Sequence, residues 1–276
     1  MKKKKILFIS QEITPYLEEN ELGHFGRYLP QGIQEDGKEI RTFMPKFGCI
    51  NERRNQLHEV IRLSGMNLII NDNDHPLIIK VGSIQAARMQ VYFIDSEDFF
   101  QRKAVFHDKK TGEEFKDNDE RAIFFVRGVL ETVKKLGWVP DIIHCHGWMT
   151  SLVPLYIKTS FKKEPIFENS KVIFSLYNND FEQPLDKDFA KKALMDDISD
   201  EAIADYADTS FVGLNKAAMN ASDAVIMASE TINPELEKHF NESDKPKLGY
   251  QAPEDYIAAY SNFYDEILEG SEVLQD

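Results

Sequence analysis

The chain has 276 residues, of which 42% are hydrophobic, and a formal net charge of −14 at pH 7. That length suffices for one large domain with a buried core, and that hydrophobic content excludes a disordered chain. The acidic balance argues against binding to nucleic acid or to anionic membranes, because both attract basic surfaces.

Targeting and redox signals are weak. Lysines dominate the first five residues, but the apolar run at residues 6–9 is too short for a secretory signal or a membrane span. No other apolar run approaches about 18 residues. The two cysteines, Cys49 and Cys145, are far apart, which favours a reducing cytoplasm over a disulfide framework.

Strand-like and helical stretches alternate along the first two thirds of the chain. The apolar patterns predict strands at residues 5–10, 40–44, 57–63, 68–70, 77–81, 89–94, 141–145 and 171–176. They predict helices at residues 25–36, 119–136 and 150–159, of which the first two end at Gly37 and Gly137. Such alternation is typical of a doubly wound, mostly parallel α/β sheet.

The last third of the chain predicts further helices. Residues 180–208 mix charged and apolar side chains, which indicates one or two acidic amphipathic helices over the sheet edge, or simply a solvated helix face. Between Tyr256 and Leu268, seven apolar residues follow one helical face. We expect this helix to pack back on the domain; the alternative is a tail that is amphipathic by chance.

The most informative segment is residues 140–148, in which a short apolar strand leads directly to His144, His146 and Trp148. Ligands of parallel sheets bind just beyond the carboxyl ends of the strands, where imidazole and indole can hold a sugar. His144 and His146 flank Cys145, but no third ligand follows at a zinc-site spacing, so we predict no metal site. An apolar strand also disfavours Cys145 as a nucleophile.

Several collinear stretches resemble bacterial glycogen synthases and plant starch synthases. Residues 144–149, His-Cys-His-Gly-Trp-Met, are similar to that family's His-x-His-Asp-Trp-His motif. Asp117-Asn118 with Arg121 resembles its Asp-Asn-x-x-Arg-Phe motif, and residues 221–229 resemble a further one. The resemblance covers about residues 5–240. It implies a Rossmann-like domain at residues 1–240, followed by a linker and a C-terminal crossing helix at residues 241–276.

The resemblance also implies site residues. His146 stands at the position of the family's catalytic histidine, and Asp117 at that of an acidic residue in the same pocket. Implied substrate-binding positions are Gly23, Asn118, Trp148, Tyr177 and Asn178. The first loop departs from the family, because Glu18, Glu19 and Glu21 replace a lysine and glycines, and these carboxylates repel a diphosphate.

The implied activity is glucosyl transfer from ADP-glucose or UDP-glucose to α-glucan in glycogen biosynthesis. The family's diphosphate clamp belongs to a second domain with no counterpart in these 276 residues, so we expect a pseudoenzyme without autonomous activity. The alternatives are a non-catalytic α-glucan-binding or regulatory module with a protein partner, and a half-enzyme completed in trans. We expect weak or lost binding of nucleotide-glucose, no cofactor, no nucleic-acid or membrane partner, and a cytoplasmic location.

Overall fold

A ten-stranded β-sheet flanked by helices is the framework of residues 3–272, the part of the chain that the computed structural model describes. The strands are β1 (Lys5–Ser10), β2 (Glu39–Pro45), β3 (His58–Glu59), β4 (Met66–Ile70), β5 (Asn73–Ile84), β6 (Met89–Asp95), β7 (Ile142–His146), β8 (Lys171–Leu176), β9 (Ala224–Met227) and β10 (Lys247–Leu248). The helices are α1 (Glu21–Glu35), α2 (Asn118–Leu136), α3 (Leu152–Lys158), α4 (Phe189–Ala193), α5 (Asp200–Ala204), α6 (Phe211–Ala221), α7 (Pro234–Glu242) and α8 (Tyr256–Glu272).

The sheet order is β10-β9-β8-β7-β1-β2-β6-β5-β3, and β4 pairs with β5. The strands from β10 through β6 in this order are parallel, whereas β3, β4 and β6 each run antiparallel to β5. Ser10 of β1 pairs with His146 of β7, and His146 pairs with Ser175 of β8. The carboxyl ends of these three strands therefore meet at one edge, and the predicted α/β fold is confirmed.

Element boundaries differ from the sequence pattern where side chains or long-range pairing decide them. Helix α1 begins at Glu21, four residues before the predicted start, because the Asn20 side chain caps the helix by accepting from the Gly23 N–H at 2.7 Å. The strand predicted at residues 57–63 was wrong beyond His58–Glu59, because Leu63 and Ser64 bond back to the Val60 carbonyl in a turn. Strand β5 extends well past residues 77–81, because β4 and β6 pair along its length.

The acidic segment 180–208 forms two five-residue helices, α4 and α5, and a 3-10 turn at Asp205–Ala207. Two cations anchor it on α2. The buried Arg127 guanidinium donates to the carbonyls of Ala193 and Leu194 at 3.1 and 2.9 Å, where α4 ends. Lys192 forms an ion pair of 2.7 Å with the buried Asp119. The segment is therefore part of the packed domain and extends the wall of the sheet edge.

Helix α8 packs against α1 and the sheet, which confirms the prediction for the final helix. The Phe25 ring of α1 lies 4.8 Å from Tyr256 and 5.9 Å from Tyr260, measured between ring centroids. Tyr260 and Tyr264 are almost completely buried. Within residues 3–272, no helix is long and apolar enough to cross a lipid bilayer.

Candidate functional site

A cleft of about 1060 Å³ opens at the carboxyl edge of the sheet, beyond β1, β7 and β8. One wall is a hairpin at residues 106–115, in which the Phe115 N–H donates to the Phe106 carbonyl and the Asp108 N–H to the Glu113 carbonyl. The opposite wall is residues 179–186, the start of the acidic segment. Gln11 and Glu12 after β1 and Trp148 after β7 complete the lining. The cleft therefore lies where parallel sheets hold their ligands.

Three aromatic rings form the apolar part of the cleft. Trp148 is 3% exposed and is the floor between two half-buried phenylalanines. Its ring centroid lies 5.2 Å from that of Phe106 and 5.1 Å from that of Phe181. Phe106 belongs to one wall and Phe181 to the other, and both are half-buried, so part of each side chain remains accessible to a ligand. Flat apolar faces combined with nearby polar groups are typical of sites for small organic ligands.

Gly147 permits the position of Trp148. Its φ of +88° is a conformation that residues with a Cβ rarely adopt, and a Cβ there would meet Gln11 Oε1 and Leu22 at 2.8 Å. Gln11 Oε1 in turn accepts from the Met149 N–H at 3.3 Å. The glycine at this position, one of the departures from the family motif, thus lets β7 turn sharply under the loop that follows β1.

The hairpin wall is held by Asn118 and Arg121 at the start of α2. Asn118 donates to the Phe106 carbonyl at 2.9 Å and accepts from Arg121 at 2.7 Å. Arg121 also donates to the carbonyls of Phe99 and Val105, at 3.0 and 2.7 Å. Burial lowers the pKa of Arg121 to about 10, so this guanidinium is still charged at neutral pH. Together the two side chains fix the loop that carries Phe106.

Carboxylates dominate the polar lining of the cleft. Six acidic residues line it in the described part of the chain, together with one lysine, Lys116. They are Glu12, Glu113, Glu114, Asp180, Glu182 and Asp186. Nδ2 of Asn179 is buried and has no hydrogen-bond partner among residues 3–272. Acceptors therefore outnumber donors in the cleft, as suits a ligand rich in hydroxyl groups.

The two histidines lie behind the cleft, under helix α8. Nδ1 of His146 is 2.6 Å from the Tyr177 hydroxyl, and Nδ1 of His144 is 2.6 Å from the Tyr264 hydroxyl. The His144 Nε2 is 2.7 Å from Ser175 Oγ. Burial lowers the pKa of His146 to about 3, and burial beside His146 lowers the pKa of His144 well below its usual value. Both rings are neutral at pH 7 and supply no positive charge.

The first turn of α1 is closed by the chain's own polar groups. Asn20 caps the helix, and its amide also donates to the Glu12 carboxylate at 2.5 Å. Ser229 after β9 donates to the Glu21 carboxylate in the same turn. The free N–H groups and the dipole of a helix start normally attract an anion. Here carboxylates of the protein occupy that position, so the helix start offers little to a diphosphate.

The seven residues implied by the resemblance differ in where they lie relative to the cleft. Asn118 and Trp148 line the cleft. Asp117 forms an ion pair of 2.5 Å with Arg102 beside it, and the backbone N–H of the exposed Asn178 donates to Ser229 Oγ at 2.9 Å. Like Asp117 and Asn178, the remaining three do not line the cleft: His146 and Tyr177 are buried, and Gly23 lies in the first turn of α1.

Sequence reasoning missed most of the cleft lining, including Gln11, Phe106, Asn179 and Phe181. These four lie outside the helices and strands, where no periodic pattern marks which side chain faces inward. Among residues 3–272, no group of three or more His, Cys, Asp or Glu side chains is arranged to hold a metal ion.

Comparisons with known proteins identify the family. The family model described as the starch synthase catalytic domain matches residues 5–247. A glycogen synthase of Chlorobium luteolum is 34% identical over 234 residues, which are 84% of this chain and 48% of that protein. A glycogen synthase of Chlorobium limicola is 40% identical over 174 residues, which are 63% of this chain and 36% of that protein.

A solved structure is similar in fold. The catalytic domain of starch synthase IV from Arabidopsis thaliana, bound to ADP and acarbose, superposes with a TM-score of 0.73 at 19% identity, over 90% of this chain and 51% of that one. The chain thus spans about half the length of the relatives it matches. The resemblance seen in the motifs is confirmed, and the chain belongs to the family of starch synthase catalytic domains.

Proposed function

We propose that this domain binds α-glucan chains in the cleft and does not transfer glucose by itself. The relatives are glycogen synthases, and the starch synthase IV domain was solved with ADP and acarbose. For this chain the proposal rests on one observation, the pair of accessible phenylalanine rings over the Trp148 floor. Apolar faces of sugar rings stack on such surfaces, while carboxylates and amides at the rim accept and donate to sugar hydroxyls.

This domain offers few groups that could stabilise the nucleoside diphosphate that leaves a sugar donor. Departure of a nucleoside diphosphate builds negative charge, which transferases stabilise with cations or free N–H groups. The α1 start is capped by Asn20 and carries the Glu21 carboxylate in its first turn, His146 is neutral and buried, and the cleft itself is acidic. Acceptor binding without donor activation is the function that these groups support.

Binding of maltoheptaose is the direct test. We expect millimolar affinity by NMR titration or calorimetry, with a change in tryptophan emission because Trp148 is the floor of the site. Replacing Phe106→Leu or Phe181→Leu keeps apolar volume but removes the flat face. Because an aromatic contact contributes about 0.5–1.5 kcal/mol, each change should weaken binding about two- to ten-fold.

The matched control is Tyr28→Leu, which removes an exposed aromatic ring that does not line the cleft and should leave affinity unchanged. Thermal melts of all variants check that the fold is retained. A flat titration with maltoheptaose, or equal affinity of the Phe181→Leu variant and the parent chain, contradicts the proposal.

A further inference from the structure

The lining of the cleft is strongly acidic. Six carboxylates and one lysine leave an excess of five formal negative charges around the aromatic floor. Glu113 and Glu182 stand exposed on opposite walls, so the negative charge faces the cleft from both sides. Carboxylates with several acceptor sites suit hydroxyl and ammonium groups, and they oppose any other anion.

Few of these carboxylates are neutralised by the protein. Among the described residues, Asp186 has an ion-pair partner, Lys192 at 3.3 Å, and the other five have none. Glu12 accepts from the neutral amides of Gln11 and Asn20 instead. Asp180 accepts from the Asn233 amide at 3.0 Å. Neutral donors orient these carboxylates without cancelling their charge, so the negative potential extends into the cleft.

In the described part of the chain, Lys116 is the one lysine or arginine that lines the cleft. The start of α1 is capped by Asn20, and Arg121 is buried outside the lining, where its Nε and Nη1 donate to carbonyls and to Asn118. The aromatic rings supply apolar area, and ring faces attract cations rather than anions. The shape of the cleft therefore admits a saccharide, and the charge of its lining determines which saccharides bind.

We propose that the cleft selects oligosaccharides by charge, binding uncharged and amine-bearing chains and rejecting those with a carboxylate or phosphate. This inference rests on the proposed binding of glucans and names Glu113, Glu114 and Glu182 as the residues that determine the selectivity. The physical basis is the Coulomb energy between a ligand charge and the unpaired carboxylates, which is favourable for an ammonium and unfavourable for an anion.

Three forms of one trisaccharide test this selectivity, because they differ only at the reducing end. Maltotriitol is neutral, 1-amino-1-deoxymaltotriitol carries an ammonium, and maltotrionate carries a carboxylate. For an excess of five charges at about 10 Å, we expect roughly ten-fold tighter binding of the amine and ten-fold weaker binding of the acid at about 10 mM ionic strength. Near about 150 mM salt, both ratios should shrink to roughly three-fold.

A triple variant locates the effect. Glu113→Gln, Glu114→Gln and Glu182→Gln together remove three charges and keep the shape of the side chains, so the amine-to-acid ratio should fall severalfold. The control makes the same three changes at Glu168, Glu237 and Glu254, which are exposed and do not line the cleft. It should leave the ratio as in the parent chain.

The outcomes separate the two proposals. If maltotriitol and maltoheptaose both fail to bind, the proposed function is wrong, and so is the proposed selectivity. If the neutral sugars bind but the acid binds as tightly as the amine at low salt, only the selectivity is wrong. Equal ratios in the triple variant and the parent chain also overturn it. The expected order of affinities, collapsing with salt and with the triple variant, supports it.

Discussion

His144 and His146 are the clearest case of side chains whose chemistry is set by burial. Their rings lie 3.9 Å apart between centroids, on one side of β7. The groups that contact their nitrogens are the hydroxyls of Tyr264, Ser175 and Tyr177, and no carboxylate of the described residues bonds either ring. Nε2 of His146 is buried and has no hydrogen-bond partner among residues 3–272. Neutral hydroxyls do not offset the charge of a protonated imidazole, so protonation of either histidine opposes the fold.

This arrangement predicts loss of stability in acid. In the unfolded chain a histidine titrates near its usual value of 6.5, whereas burial lowers the pKa of His146 to about 3 in the folded chain. Between these values the unfolded chain binds more protons, so the free energy of unfolding is highest above pH 6.5 and falls as pH decreases. The slope is about 1.4 kcal/mol per pH unit for each such histidine.

Urea unfolding between about pH 6 and pH 4.5 measures this slope. A His146→Gln variant can still pair with Tyr177. Its free energy of unfolding should fall by about 1 kcal/mol less per pH unit than that of the parent chain, because the folded and unfolded states no longer differ by the proton of His146. The exposed His58 is the matched control, and His58→Gln should follow the parent slope. If the free energy of unfolding falls with pH equally steeply in His146→Gln and in the parent chain, burial does not lower the pKa of His146.

At the scale of elements, the contact between α1 and α8 depends on a glycine, Gly32, which has no side chain to separate the helices. A Cβ built on Gly32 of α1 would lie 2.5 Å from Cγ2 of Ile257 and 2.7 Å from its Cδ1. The turn that follows α1 is also tied to α8, because Lys38 Nζ lies 2.6 Å from Ser261 Oγ and 3.2 Å from the Asp265 carboxylate. Gly32 therefore lets α8 approach α1 closely enough to bury its tyrosines.

A pair of substitutions tests this contact. Gly32→Ala should destabilise the chain by about 1–3 kcal/mol from overpacking, less about 1 kcal/mol gained in helix propensity. In an Ile257→Ala background the clash is gone, so the same change should be neutral or stabilise by up to about 1 kcal/mol. Denaturant midpoints of the four chains measure the effect.

Gly270 supplies the control for that cycle. It also lies in a helix, but nothing lies within 4 Å of a Cβ built there, so Gly270→Ala should not destabilise. If Gly32→Ala has the same effect with and without Ile257, the two helices are not held by this contact.

At the scale of the whole molecule, one acidic domain carries both the cleft and the closed helix start. We expect a purified chain of these 276 residues to transfer no measurable glucose from ADP-glucose or UDP-glucose to glycogen. Removing one stabiliser of the developing charge typically costs about 10²–10³ in rate, and among the described residues the cleft is lined by one lysine, Lys116, and no arginine. Incorporation of radiolabelled glucose into precipitated glycogen measures the activity. Label that appears in glycogen and is lost in a His146→Ala variant contradicts this expectation.

Much of this architecture was predictable from local sequence. The apolar runs at Lys5–Ser10 and Lys171–Leu176 form strands at the predicted residues, because a strand buried on both faces reads as a continuous apolar run. The helical stripe beginning at Tyr256 predicted a helix that packs on the domain, because so much apolar surface is unfavourable in water. The motif around His146 identified the family, because the residues that carry it are adjacent in the chain.

Only the tertiary structure decided what the cleft contains. Phe106 and Phe181 are 75 positions apart in irregular loops, and both rings pack against Trp148. Asn118 and Arg121 hold the first loop on α2, and Lys192 ties the acidic segment that follows Phe181 to the same helix. His146 resembles a catalytic residue in sequence but is buried under α8, since its side chain points to the helix-covered face. Sequence determined the strands, the helices and the family through local patterns. The tertiary structure determined which side chains are exposed and which charges line the cleft, because both depend on distances between residues far apart in the chain.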